Sequence, residues 1–415
     1  MAIPVRSAQL RASVVVPTYN RHELLRLTLD SLVGQRLPPE EFEVIVSDDG
    51  SRDQTAALVD SYRSRLNLQY WFQEDQGYRA ATARNAGARL AAGSVLLFLD
   101  SGVVAGPDLV RSHLDRHAAY PAGGRAVLGY TYGYRPEESP PAGLAEALRQ
   151  ESPEQVLGRY QDDPALQEFR HEEFAAVGFD LNRRAVPWLL FWTLNVSVNA
   201  TDFRSVGGFD DDFRGWGVED LELGYRLSRH RGVEFVGSRE CWAFDMPHER
   251  DMSANLASNN RNVLQFLHKH PAPEVELCWA LFVQDQMWPL EDAFRDVLDW
   301  TAKARDLTVV DEIGSGLRDL PEGARVAVFG CGGDVPARLP PCTLADFDRR
   351  LLADVDERHD TLHAIGVRTP LPDQSVDLVL ITSRLRGLWD RWGAHILHEA
   401  HRIGAAVHGP PDDHR

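Results

Sequence analysis

The first hundred residues alternate short apolar runs with segments of helical period, and this alternation restricts the chain to a small set of folds. SVVV (13–16), ending at Pro17, precedes HELLRLTLDSLVG. EFEVIVSDDGS precedes DQTAALVDSYRSRL, with Asp53 placed to cap it. LQYWFQE precedes RAATARNAGARLAAG, and SVLLFLD closes the series at Asp100. Brief β-branched and aromatic runs suit buried strands, and apolar residues at i, i+3 and i+4 suit helices packed by one face. The expected architecture is α/β, a mainly parallel sheet flanked by helices, with ligands beyond the carboxyl ends of the strands.

The polar signals fall at those ends: Thr18, Tyr19 and Asn20 after the first strand, Asp48 and Asp49 after the second, and Asp100 after the fourth. The first turn lacks GxGxxG, which argues against the usual dinucleotide signature there. A formal net charge of −18 disfavours a nucleic-acid partner, since phosphate binding needs clustered Lys and Arg. Cys241, Cys278, Cys331 and Cys342 show no CxxC spacing, so neither a zinc site nor a disulfide framework is indicated. The start MAIPVRSAQLRASVVVP lacks a long apolar segment, and VLLFL and VPWLLFW are too short to span a bilayer. A cytoplasmic protein without a membrane partner is expected, with a homodimer left open.

A second concentration of signal is GWGVEDLELGYRL (215–227). Gly215 and Gly217 suit a tight turn that presents Trp216, and a helix is expected from Glu219. Asp220, Leu223, Gly224 and Leu227 then share an inward stripe, while Glu219, Glu222 and Arg226 lie on a neighbouring polar face. An unpaired inward carboxylate is costly, which marks Asp220 as a candidate for chemistry. The plainer reading is that acidic residues simply favour the first turn of a helix.

VVVPTYNR, VSDDGSRD, DQGYRAATARNAG, FLDSG and GWGVED occur in that order. Together, over roughly residues 11–250, they resemble the family 2 glycosyltransferases of the Rossmann-like GT-A fold, with GWGVED similar to the acceptor half of chondroitin-type polymerases and β-galactosyltransferases. The resemblance implies that Pro17, Thr18, Tyr19, Asn20, Asp48 and Asp49 bind the donor, a UDP-sugar, with Arg79 and Arg84 near the uridine. Asp100 would lie beside the ribose and a metal-diphosphate. Asp220 would be the general base of an inverting transfer, Glu219 an acceptor-binding group, and Trp216 an apolar wall for a sugar ring. Asn195 and Asn199, an even number of strand residues apart, share one face; Asn195 is a candidate acceptor contact, and bonding within the sheet is equally compatible.

The family's Asp-x-Asp pair stands here as Asp100-Ser101-Gly102, so its second carboxylate is missing. Asp100 and His248, in DMPHER, are the expected ligands of Mn²⁺ or Mg²⁺, with diphosphate oxygens supplying the rest. The resemblance points to glucose as the donor sugar and to a small natural-product acceptor of aminocyclitol type. Galactosyl or N-acetylhexosaminyl transfer to surface polysaccharide, and an inactive sugar-nucleotide-binding module, are the alternatives.

The expected organisation is a nucleotide-sugar half (1–115), an acceptor half (116–253), a helical extension (254–322) and a small α/β tail (323–415). In the tail RVAVFGCGGD, TLADFD and LPDQSVDLVLI resemble the first half of a class I methyltransferase, with Gly330, Gly332 and Gly333 in the turn and Asp346 or Asp348 where ribose would be held. A remnant used for packing or dimerisation is the favoured account of this segment.

Overall fold

The computed structural model describes residues 10–119, 123–135, 140–230, 232–248, 252–318, 320–337 and 339–409. Expectations for residues 1–9 and for 136–139 of the YRPEESPPAGL loop lie outside these. The chain divides into two compact units, Met1–Asn259 and Asn260–Arg415.

The first unit opens as its periodicity implies: β1 (Ala12–Thr18), α1 (His22–Val33), β2 (Phe42–Asp48), α2 (Thr55–Tyr62), β3 (Leu68–Phe72), α3 (Ala80–Leu90) and β4 (Val95–Leu99). Strand β1 runs on through Pro17 to Thr18, with Pro17 opposite Ser47 and Thr18 opposite Asp48. There follow β5 (Val103–Ala105), α4 (Leu109–Ala118), β6 (Gly124–Tyr132), the short helices α5 (Leu144–Gln150), α6 (Pro153–Tyr160) and α7 (His171–Ala175), then β7 (Asn195–Asn199), α8 (Ala200–Ser205), α9 (Glu219–Arg229) and β8 (Val233–Asp245). The eight strands form one sheet in the order β3-β2-β1-β4-β7-β6-β8-β5. Its first four strands are parallel; β7 is antiparallel to both β4 and β6, and β5 antiparallel to β8. Strand β6 lies within a stretch whose sequence reads as irregular. Its register slips at Gly129/Tyr130, so no single period-two pattern runs along it.

Two close approaches set the site. Helix α3 turns a face of small residues to the sheet, and a Cβ on Gly87 would stand 2.5 Å from Val15 Cγ1 and 2.6 Å from Ser47 Oγ. On α9, a Cβ on Gly224 would stand 2.7 Å from Phe191, so this helix lies directly against the segment leading into β7. The polar face expected for α9 is also covered: Glu222 is 1% exposed and holds the Arg226 guanidinium through two 2.6 Å bonds.

The second unit begins within α10 (Met252–Lys269) and continues through α11 (Pro273–Phe282), α12 (Leu290–Lys303) and α13 (Val310–Gly316). It then forms β9 (Val326–Phe329), β10 (Thr343–Asp346), α14 (Arg349–Leu352), β11 (Asp360–His363), β12 (Val376–Ile381), α15 (Trp389–Ile403) and β13 (Gly404–His408). These five strands make an all-parallel sheet in the order β11-β10-β9-β12-β13. The crevice beyond their carboxyl ends is where such a sheet takes a ligand. Here a side chain of the chain itself occupies it. Asp346 accepts the Gly332 and Asp348 N–H groups, each at 2.8 Å, and the Nε–H of Arg384 at 2.8 Å; both Arg384 and Asp346 are fully buried. The same guanidinium donates to the Ala304 and Leu307 carbonyls. Asp346 therefore has no oxygen to spare for a ribose. Arg384→Ala strands a buried carboxylate and is expected to cost about 3–5 kcal/mol, read as an earlier urea transition of the second unit.

Candidate active site

The turns after β1 and β2 are tied together. Asn20 adopts φ +48°, its N–H donates to Ser51 Oγ at 2.8 Å, and its Oδ1 accepts the Arg52 N–H at 2.8 Å. Tyr19 is 41% exposed, with its hydroxyl on Asp75 at 3.0 Å. Asp48 is fully buried: Oδ1 accepts the Gly50 and Ser51 N–H groups at 3.1 and 2.7 Å, and Oδ2 accepts the Tyr70 hydroxyl at 2.7 Å. It shapes the turn and presents no oxygen to a donor, which corrects the expectation of direct binding. Asp49 takes the Arg79 N–H at 2.7 Å, lies 3.0 Å from the Arg79 guanidinium, and accepts from the Gln73 amide.

Arg84 does something different from Arg79. From α3 it reaches past the end of β4, with Nη2 2.9 Å from Asp100 Oδ1 and Nη1 2.9 Å from Glu219 Oε1. The side chain is 4% exposed. A single guanidinium thus spans the carboxylate that follows β4 and the one that opens α9. Burial works against its charge, but the Asp100 and Glu219 carboxylates more than compensate and raise its pKa.

Helix α9 starts at Glu219, as its period implies, and enters from a strained turn. Gly215 and Gly217 have φ +82° and +93°, and Val218 has φ +77°, unusual for a β-branched residue. The half-buried Trp216 is pinned through its backbone, its N–H 3.0 Å from Ser258 Oγ, which in turn donates to the Trp216 carbonyl at 2.9 Å. Such a turn aims the first two helical side chains. Asp220 accepts the Leu221 N–H at 2.8 Å and the Thr193 N–H at 3.3 Å. Burial pushes its carboxyl up to about 7 and the neighbouring Glu219 adds to this, while Arg84 and the two backbone donors oppose it. Glu219 is itself buried, and its Oε2 has no hydrogen-bond partner among the described residues. One carboxylate is therefore poised near neutrality, and the other holds an oxygen ready for a donor.

His248 donates from Nδ1 to the Met246 carbonyl at 2.9 Å, leaving the Nε2 lone pair to face Arg21 Nη1 at 3.3 Å. The Met246 N–H bonds the Gly102 carbonyl at 3.0 Å, so this histidine hangs from the Asp100–Gly102 turn. No group of three or more His, Cys, Asp or Glu suited to a metal occurs among the described residues. Asp100, with a side chain 35% exposed, and the ring of His248 offer donor types that suit Mn²⁺ or Mg²⁺.

Asn195 does not join the site. It is fully buried, its Oδ1 contacts His113 Nε2 at 3.0 Å, and its Nδ2 donates to the Cys241 carbonyl at 3.0 Å. The shared face of Asn195 and Asn199 is turned toward α4, where Asn199 Oδ1 contacts His117 at 3.2 Å. The acceptor-contact expectation for Asn195 is corrected accordingly. Sequence reading missed Arg21, Gln73, Thr193 and Ser258. Thr193 acts through its backbone N–H, which carries no signature of residue type.

Sequence comparison places a chain with these grouped carboxylates among sugar-transferring enzymes. The glycosyl transferase family 2 model matches residues 13–186, and that of the N-terminal domain of galactosyltransferase matches residues 175–243. The chain belongs to glycosyltransferase family 2 and is an enzyme of the GT-A fold. It is 48% identical over 409 residues to the validoxylamine A glucosyltransferase of Streptomyces hygroscopicus subsp. limoneus, covering 96% of this chain and 90% of that protein. The chondroitin synthase of Escherichia coli is 31% identical over 263 residues, 62% of this chain and 38% of the relative. The crystal structure of S. aureus TarS aligns over 75% of this chain and 50% of its own, at 16% identity and a TM-score of 0.45. Glycosyltransferases of this fold generally use a divalent metal. No helix among the described residues is long and apolar enough to cross a membrane.

Proposed function

We propose that the chain transfers glucose from UDP-glucose to a hydroxyl of a small aminocyclitol acceptor, with inversion at the anomeric carbon. The observation that carries this reading is the Arg84 bridge, which holds Asp100 and Glu219 together beside the raised carboxyl of Asp220. Kinship with validoxylamine A glucosyltransferase supports the sugar and the acceptor class.

In this reading Asp49 and the Pro17–Asn20 turn receive the uridine, with Arg79 bracing Asp49. Asp100 and His248 would hold Mn²⁺ or Mg²⁺, which would supply positive charge against the diphosphate. The acceptor hydroxyl donates to Glu219 Oε2 or Asp220, and Trp216 walls its ring. Asp220 removes the hydroxyl proton as the oxygen attacks the anomeric carbon from the face opposite the diphosphate. The new C–O bond forms as the bond to the phosphate oxygen breaks, and UDP leaves with that electron pair. A positioned base is needed because a neutral hydroxyl is a poor nucleophile.

UDP release by the purified protein, measured with and without Mn²⁺ across aminocyclitol and sugar acceptors, tests the assignment. Release stimulated by an aminocyclitol supports it; UDP binding without release for every acceptor refutes it and leaves a binding module. His248→Ala is expected to raise the Mn²⁺ concentration for half-maximal activity about 10-fold or more. An unchanged metal titration removes His248 from the ligand set.

A further inference from the structure

The segment Trp192–Leu194 touches the Asp220 carboxylate and the backbone of Asp100. The Leu194 carbonyl accepts the Asp100 N–H at 3.3 Å, and the Thr193 N–H donates to Asp220 Oδ2 at 3.3 Å. Trp192 immediately precedes them. Its indole N–H donates to the Leu189 carbonyl at 3.0 Å, so the polar edge of the ring is satisfied inside the protein. The fully buried Arg170 guanidinium sits 5.0 Å from the ring centroid and is itself held by Glu168 and the Leu190 and Gly129 carbonyls. Tyr134 lies 5.7 Å away at 62°, and Phe169 6.2 Å away, tilted by 31°. All three aromatics are half-buried rather than sealed into the core.

We propose that the Trp192 indole, flanked by Tyr134 and Phe169, is a stacking platform for the acceptor ring. It receives the C–H face of a saturated, polyhydroxylated ring and fixes one hydroxyl beside Asp220. Three physical features favour that ligand class. The C–H face of such a ring is apolar while its hydroxyls project from the rim, so an aromatic wall binds the face and leaves the rim for Glu219 and Asp220. An ammonium group on the ring gains a further attraction from the aromatic quadrupole. The Arg170 brace holds the indole in place, so little ordering entropy remains to be lost on binding. Trp216 is anchored separately, through Ser258.

This inference rests on the proposed transferase reading, and the two fail differently. With validoxylamine A as the probe and saturating UDP-glucose, Trp192→Ala is expected to raise the acceptor KM at least 10-fold. The UDP-glucose KM should stay within twofold, and Trp192→Phe should recover most of the loss. An acceptor KM within twofold of wild type overturns the platform, as does a donor KM that rises in parallel, because the ring would then sit under the transferred sugar. If Trp192→Ala fails to fold, Phe169→Leu and Tyr134→Leu at the platform edges carry the test, each expected to raise the acceptor KM about 3-fold or more. Should wild type release no UDP with this or any other acceptor of the aminocyclitol and sugar panel, the transferase reading fails. Calorimetric titration of validoxylamine A then judges the platform alone: a Kd at least 10-fold weaker in Trp192→Leu supports it, and an unchanged Kd overturns it.

Discussion

Asp220→Asn lowers kcat about 10³-fold while leaving UDP affinity within a factor of about two, the scale expected for loss of a positioned general base. The asparagine keeps the size of the side chain and the oxygen that accepts the Leu221 N–H at 2.8 Å, giving up only the longer Thr193 bond. What disappears is the ability to take a proton. In wild type the group acts when deprotonated, and burial and Glu219 hold its carboxyl up at about 7, so kcat/KM should rise with pH through that region and level off above it. In the variant this limb should vanish from the residual activity. Stability should move the other way. A carboxyl whose folded pKa lies above its unfolded value destabilises the fold at any pH above the unfolded value, so the neutral asparagine should raise Tm at pH 8. Equal turnover, or an unshifted pH limb, removes Asp220 from the mechanism.

Arg84→Met is expected to lower kcat/KM about 10²-fold and to destabilise the first unit by about 3 kcal/mol. The guanidinium is the shared counter-ion of Asp100 and Glu219, and Glu219 is buried with it. Without it, Glu219 loses the contact that directs its second oxygen, and like-charge repulsion with Asp220 goes unopposed. Arg84 favours the ionised form of Asp220, so its removal raises that carboxyl further and the acidic limb of kcat/KM should move to higher pH. Arg84→Lys keeps the charge but lacks the fork needed to span both carboxylates, so it should recover the pH limb better than the rate. A destabilised variant with an unmoved limb would mark Arg84 as structural.

The parallel half of the sheet was legible because strand and helix periods are local, and because Asp49, Asp100 and the Glu219–Asp220 pair sit at element ends that the periods locate. The start of α9 was legible for the same reason. Strand β6 was not, since a register slip interrupts its alternation. In the second unit β9, β10, β12 and the glycine-rich turn were visible in the sequence, whereas the short β11 and β13 were not. That Arg384 fills the crevice was not, because its partners Asp346 and Ala304 are 38 and 80 residues away.

The sequence by itself determined which residues carry charge, where strands give way to turns, and hence which carboxylates lie at the carboxyl edge of the sheet. Only the tertiary structure decided where those groups point. Asn195 and Asp48 looked like ligand contacts by position, yet β7 meets α4 and β2 meets Tyr70, so both are consumed inside the protein. Arg84, Thr193 and Trp192 became part of the site through partners between 16 and 135 residues distant. The reason is geometric. Period and composition fix the face a side chain occupies within its own element, whereas its partner depends on which other element packs there, and that is set by register and long-range packing.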